Sequence, residues 1–190
     1  MSGFTEAGRS APRTAGVALV VGASRGLGLL IAAELIRLGY RVAIAARNQD
    51  ELAAAIDRLG PRAHSYVCDV RDHDQIVDLV GAVEGELGPI EVSIHVAGII
   101  HVGPAADVSL AHFDDAIATM LKGPIELAWA VLPGMRRRRR GRIGTVASVG
   151  GMVAPPHLLP YATAKCGAVG GPDPEGHPAM MRDGAHAGTR

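Results

Sequence analysis

Short apolar runs alternate along this chain with longer segments in which apolar residues recur every three or four positions. Residues 17–22 (VALVVG) are apolar throughout and end in glycine, the pattern of a strand buried on both faces. In the next segment, 27–39 (LGLLIAAELIRLG), Glu34 and Arg37 place their charges on one side of an otherwise apolar helix, with Gly39 as its stop. A second strand is predicted over 41–47 and a second helix over 49–60, a third pair over 63–70 and 73–88, and a fourth strand over 90–98. A long helical tract over about 109–133 and a fifth strand over 142–148 complete the rhythm. Such alternation implies right-handed βαβ units, and so an α/β fold built on a doubly wound parallel sheet in a single domain.

Composition narrows the picture by exclusion. With 190 residues, 48% of them hydrophobic, the chain can bury a sizeable core and is too apolar to be disordered throughout. Nineteen basic and nineteen acidic side chains cancel, so no nucleic-acid partner is expected. The apolar runs are broken well short of the ~18–20 residues of a spanning helix, and no membrane partner is expected either. Residues 1–15 lack an apolar leader core and read as a flexible tail. Residues 170–190 hold three prolines and five glycines without an apolar period, and read as an irregular tail. Cys68 and Cys166 form no C-x-x-C pair. Each reads as a small hydrophobe in a reducing, cytoplasmic setting, and no metal site is expected.

Candidate chemistry begins at 22–28 (GASRGLG), between the first strand and the first helix, where the glycines are spaced G-x-x-x-G-x-G. Glycine permits a tight turn and a close backbone approach to a pyrophosphate, whose charge then meets the free N–H groups of a helix start. Gly22, Ser24, Arg25, Gly26, Leu27 and Gly28 form this cradle. Loops collect glycine anyway, but the strand before and the helix after favour a dinucleotide site over a bland turn. A site for the unphosphorylated ribose usually ends its second strand in an acidic residue. Here Ala46 and Arg47 stand there instead, and Arg25 sits in the glycine loop. Two guanidiniums with no carboxylate beside them favour the 2′-phosphate of NADP(H) over NAD(H), Arg47 otherwise being a solvated strand-end charge. Asp69 and Val70 end the third strand. Asp69 is placed either to accept from an adenine amino group, with Val70 against the ring, or to cap the following helix.

Tyr161 and Lys165, in YATAK, are four apart and share one face if a helix starts there. A free phenol titrates near ~10, and bringing it to about 7 requires roughly 4 kcal/mol. A unit positive charge ~4 Å away supplies about that at an effective dielectric near 20, but only ~1 kcal/mol in open water. The pair therefore tunes itself only inside a closed cleft. Ser148, thirteen residues before Tyr161, ends the fifth strand and would face the cleft. There its hydroxyl would hydrogen-bond a carbonyl oxygen while Tyr161 exchanges a proton with that oxygen, Lys165 also holding ribose hydroxyls.

Taken together, the glycine loop, Asp69–Val70, Ala97–Gly98, LPGM…GRI (132–143), Ser148 and YATAK resemble the short-chain dehydrogenase/reductase family over residues 17 to about 170. The resemblance implies a Rossmann-type fold, a nicotinamide cofactor approached closely by the Ala97 and Gly98 backbone, and homo-oligomerisation. It also implies hydride transfer between NADP(H) and a small alcohol or carbonyl substrate, with Tyr161 as general acid/base. Residues 16–169 are then the dinucleotide-binding and catalytic domain.

Three departures bear on activity. The family often shows Asn-Asn-Ala-Gly after the fourth strand, where this chain has His95-Val96-Ala97-Gly98; His95 reads as a packed, hydrogen-bonded histidine rather than a catalytic one. Aligned on Gly123, Met120 stands where the family commonly carries a catalytic asparagine, and a thioether cannot anchor the water of a proton relay. The family normally continues beyond the Tyr/Lys helix with two further strands, a helix and a substrate-covering loop. A C-terminally shortened chain that lacks these last strands and leaves its fifth strand as an open edge is the expectation. The alternative function is then a catalytically weak or inactive nucleotide-binding fragment. The five arginines 136–140 read as a solvated connection. For the substrate pocket, 150–160 predicts only a largely apolar wall.

Overall fold

Strands β1 (Val17–Val21), β2 (Arg41–Ala46), β3 (Ala63–Val67), β4 (Ile90–His95) and β5 (Arg142–Thr145) form one parallel sheet in the order β3-β2-β1-β4-β5. The structure is a computed structural model that describes residues 16–169, and the expectations for 1–15 and 170–190 lie outside the described residues. Central β1 is buried at every position, which is why its run shows no alternation. Its side chains divide between two layers. Val17, Leu19 and Val21 join Ile76, Val83, Leu127 and Met135 on one face, while Ala18 and Val20 join Leu35, Val42, Ile44 and Leu52 on the other. Each large side chain fully buried in this way contributes about 1.5–3 kcal/mol.

Helices α1 (Gly26–Arg37) and α2 (Gln49–Leu59) supply the second layer, α3 (His73–Glu86) and α5 (Gly123–Arg138) the first; α4 (Leu110–Ile117) precedes α5 and α6 (Leu159–Val169) ends the described chain. The sheet runs from β1 to β2 and β3 on one side and to β4 and β5 on the other. The carboxyl ends of β1 and β4 therefore flank the crevice where such sheets bind ligands. Among the described residues β5 pairs only with β4 and lies at the sheet edge, as expected. No helix among these residues is long and apolar enough to cross a membrane.

The helical tract expected over 109–133 divides and runs further. Pro124 has no N–H to offer Met120, four residues back. There the helix widens into a π turn, Ala118–Lys122, with Gly123 N donating to Ala118 O, five residues back. Helix α5 then continues to Arg138, so 136–138 are helical rather than a connection, while four of the five arginines are exposed as expected and only Arg138 is part-buried. Arg138 Nη2 donates to Glu84 Oε1 (3.1 Å) and to the carbonyl of Ile90 (3.0 Å), and Arg140 Nη2 meets Glu91 Oε2 at 2.8 Å. Arg138 thus ties α5 to α3 and to the start of β4.

All five strands stop short of expectation, β1 and β2 by one residue and the others further, β3 at Val67, β4 at His95 and β5 at Thr145. The residues beyond leave the ladder but stay packed, as Cys68 and Val70 show by being buried. Asp69 and Ser148 accordingly lie past their strand ends. Asp69 is not a helix cap; Asp72 caps α3, accepting from the backbone N–H of Asp74 and Gln75.

Candidate active site

Where β1 ends, the chain turns under tight steric control. Gly22 N donates to Ala45 O (2.7 Å), and its φ of +88° belongs to the region that favours glycine. A Cβ there would strike the backbone of Ala97, which is itself fixed by donating its N–H to Val21 O (3.0 Å). A Cβ on Gly28 would lie 2.8 Å from Ala23 Cα, so helix α1 presses directly on the loop. Arg25 is the N-cap of α1, and among the described residues no side chain caps that helix. Its first N–H groups are thus available to an anion.

A cavity of about 910 Å³ opens over this turn. From the glycine loop it is lined by Gly22, Ser24, Arg25, Leu27 and Gly28. The segments beyond the strand ends contribute Arg47, Asp69, Val70, Ala97 and Gly98, and α6 contributes Tyr161 and Lys165. Of the residues predicted from sequence, Gly26 and Ser148 do not line it.

Two carboxylates stand beside the glycine turn and the strand ends, Asp69 as expected and Glu51 not. Glu51, in the first turn of α2, accepts a hydrogen bond from Ser24 Oγ (2.8 Å) and stands 3.8 Å from Arg25 Nε. Asp69 is gripped by Arg71, Nη2 to Oδ2 at 2.7 Å, and Arg71 also reaches Asp115 at 2.8 Å. The Arg71 hydrogen bonds hold the Asp69 carboxyl below its usual range, and the nearby charge of Arg47 lowers it further. The guanidiniums of Arg25 and Arg47 are therefore each accompanied by a carboxylate, contrary to the sequence reading.

Helix α6 carries Tyr161 and Lys165 one turn apart on one face, with Lys165 Nζ 6.0 Å from the centre of the Tyr161 ring. Lys165 is only 6% exposed, and its ammonium donates to Val146 O at 2.6 Å. Burial pushes its pKa below the usual lysine value. The ammonium is thus enclosed by protein, while Tyr161 is half-buried in the cavity wall. Ser148 lies three residues beyond the end of β5 and caps a 3-10 turn, Val149–Gly151, its Oγ accepting from Gly150 N at 3.0 Å. A Cβ on Gly150 would lie 2.9 Å from Tyr161 Cε1 and 3.4 Å from Ser148 Oγ. The serine and the tyrosine thus flank the same glycine.

His95 is packed as expected, at 3% exposure, but its Nε2 has no hydrogen-bond partner among the described residues. Burial pushes its pKa down to about 3, and the charge of Lys165 adds to the effect. Met120 is fully buried against Ala116 and Ala164 with Ile99 and Tyr161, its Sδ 3.4 Å from where a Cβ of Gly98 would stand. It acts there as filling beneath the tyrosine. Cys68 is buried and lines the cavity, its thiol pushed up to about 11 by burial, whereas Cys166 is exposed and is no core hydrophobe. Among the described residues no group of three or more His, Cys, Asp or Glu is placed to hold a metal. Glu51 and Thr119, both in the cavity wall, were not anticipated from sequence.

Sheet order, glycine turn and cavity together define a Rossmann-like α/β protein with a Tyr/Lys pair at the carboxyl edge of its sheet. The chain belongs to the short chain dehydrogenase family, whose profile matches residues 16–171. It is 38% identical over 155 residues to gluconate 5-dehydrogenase of Gluconobacter oxydans, covering 80% of this chain and 60% of that protein. It is likewise 38% identical over 159 residues to a putative ketoacyl reductase of Streptomyces coelicolor, covering 81% and 61%. Among solved structures it matches a single-substitution variant of the actinorhodin polyketide ketoreductase with NADPH, with a TM-score of 0.79 and 37% identity over 82% of this chain and 62% of that one. The chain thus spans about three fifths of the length of these relatives.

Proposed function

We propose that residues 16–169 form the nucleotide-binding and catalytic part of an NADP(H)-dependent oxidoreductase that interconverts a small alcohol and its carbonyl compound. The observation that carries this reading is the buried Lys165 ammonium, on the same helix face as Tyr161 and in the wall of the cavity that the glycine turn opens.

The residues present fit such a cofactor. A Cβ at Gly22 or Gly28 would obstruct the turn, and the start of α1 is left uncapped by any side chain. Arg25 and Arg47 offer guanidiniums for a 2′-phosphate in the same cavity. That the actinorhodin ketoreductase was solved with NADPH supports the choice between the two nicotinamides. When bound, the reduced nicotinamide supplies hydride to the carbonyl carbon. Tyr161 gives its phenolic proton to the carbonyl oxygen, or takes it back in alcohol oxidation. Lys165 stabilises the phenolate by its charge and offers its remaining N–H donors to ribose hydroxyls; one is committed to Val146 O. Ser148, which stands outside the cavity lining but flanks Gly150 with Tyr161, would donate its hydroxyl to the same substrate oxygen while its Oγ accepts from Gly150 N. One family of substrates is favoured by the relatives, whose names include ketoacyl and acetoacetyl-CoA reductases.

A second reading, nucleotide binding without appreciable turnover, is favoured by Met120, whose thioether holds no relay water. NADPH titration followed by oxidation of NADPH against a carbonyl panel separates the two. The enzymatic reading expects turnover that Tyr161→Phe lowers at least ~100-fold, with the NADPH dissociation constant within about threefold of wild type. Binding without turnover selects the second reading, and absence of binding overturns both.

A further inference from the structure

Glu51 stands where the cofactor proposed above has to be accommodated. It is the third residue of α2, and its backbone N–H is fixed by the Asn48 side chain at 3.0 Å. From there its carboxylate reaches back across 27 residues of sequence to the glycine turn, where Oε2 accepts from Ser24 Oγ at 2.8 Å and lies 3.8 Å from Arg25 Nε. All three residues line the cavity together with Arg47. Ser24 and Arg25 are thus already engaged by a negative charge, and Arg25 is one of the two guanidiniums assigned to the 2′-phosphate. An incoming phosphate dianion must share Arg25 with the carboxylate, and like charges at such range repel. A 2′-hydroxyl carries no such cost, since a carboxylate can accept its hydrogen bond.

We propose that Glu51 is a specificity-determining residue that weakens the discrimination in favour of the 2′-phosphorylated nucleotide. The inference rests on the cofactor reading above. Glu51 opposes the 2′-phosphate while Arg25 and Arg47 attract it, and the balance among the three sets the ratio of NADP to NAD affinity. Its side chain is 41% exposed, so the effect is screened and moderate.

The test is calorimetric titration of the full chain with NADP⁺ and with NAD⁺, ligands that differ only in the 2′-phosphate. Glu51→Gln keeps an acceptor for Ser24 and removes the charge. It is expected to tighten NADP⁺ by roughly five- to tenfold at low salt, to leave NAD⁺ unchanged or weaker, and to lose most of this effect near ~1 M salt. Asp50→Asn removes the neighbouring exposed charge of the same helix turn and is expected to move neither ligand by more than about twofold. Weaker NADP⁺ binding by Glu51→Gln, equal shifts for both ligands, or the same gain from Asp50→Asn would overturn the proposal. Wild-type protein that binds neither nucleotide would overturn the cofactor reading itself.

Discussion

Substituting leucine for His95 should remove a specific acid sensitivity. The imidazole is 3% exposed, and burial with the charge of Lys165 lowers its pKa from an ordinary 6.5 to about 3. Between those values the unfolded chain binds a proton that the folded chain refuses, so stability rises with pH across this window and falls as the pH is lowered through it. With one pKa unit equal to 1.36 kcal/mol, the two values imply a loss of about 2 kcal/mol at pH 5 and ~3 kcal/mol at pH 4, against almost nothing at pH 7.5. Carboxylates such as Asp69, held low by Arg71, also titrate toward acid, but they do so in both proteins and cancel in the difference. Urea unfolding of wild type and His95→Leu at pH 7.5, 5 and 4 measures that difference directly. The variant should gain on wild type by about 3 kcal/mol between the extremes, whatever its offset at neutral pH. Parallel stability curves would refute the reasoning and mean that the imidazole reaches water in the native state.

Three further substitutions probe the frame. Gly22→Ala forces a methyl group into the Ala97 backbone at a φ of +88° and should cost about 3 kcal/mol in urea unfolding; a loss under ~1 kcal/mol would show that the turn yields. Arg138→Met abandons Glu84 and the Ile90 carbonyl and should cost about 1–2 kcal/mol, whereas Arg137→Met, at an exposed position, should stay within ~0.5 kcal/mol. Equal effects at the two arginines would return the whole run to the status of a solvated connection.

The order of strands and helices was legible because burial on both faces writes itself as unbroken apolar runs, most clearly at 17–21. Strand ends were less legible for a physical reason. Cys68, Val70 and Ala97 remain packed after leaving the ladder, so hydrophobicity continues where hydrogen bonding stops. Local spacing was enough to bring Tyr161 and Lys165 together, since one helical turn joins them. It could not reveal Glu51, whose partners Ser24 and Arg25 lie in a different turn of the chain. A run of identical arginines likewise holds no hint of which member turns inward. Gly134, one helical turn before Arg138, supplies the answer, for a Cβ there would lie 2.9 Å from the Arg138 guanidinium and 3.1 Å from Glu84 Oε1. The missing partner at His95 Nε2 is a property of packing and has no local signature at all.

The chain has two lysines, and the fold separates them sharply: the Lys122 side chain is 65% exposed, while Lys165 is buried in the cavity wall with its ammonium on a main-chain oxygen. An acylating reagent added to the folded protein would tag the first at once. It would reach the second slowly, because that amine is buried in the cavity wall and held on a carbonyl oxygen. Mass spectrometry of the slow tag therefore turns one residue into a clock for the breathing of the cleft, with the rapid tag as its internal standard.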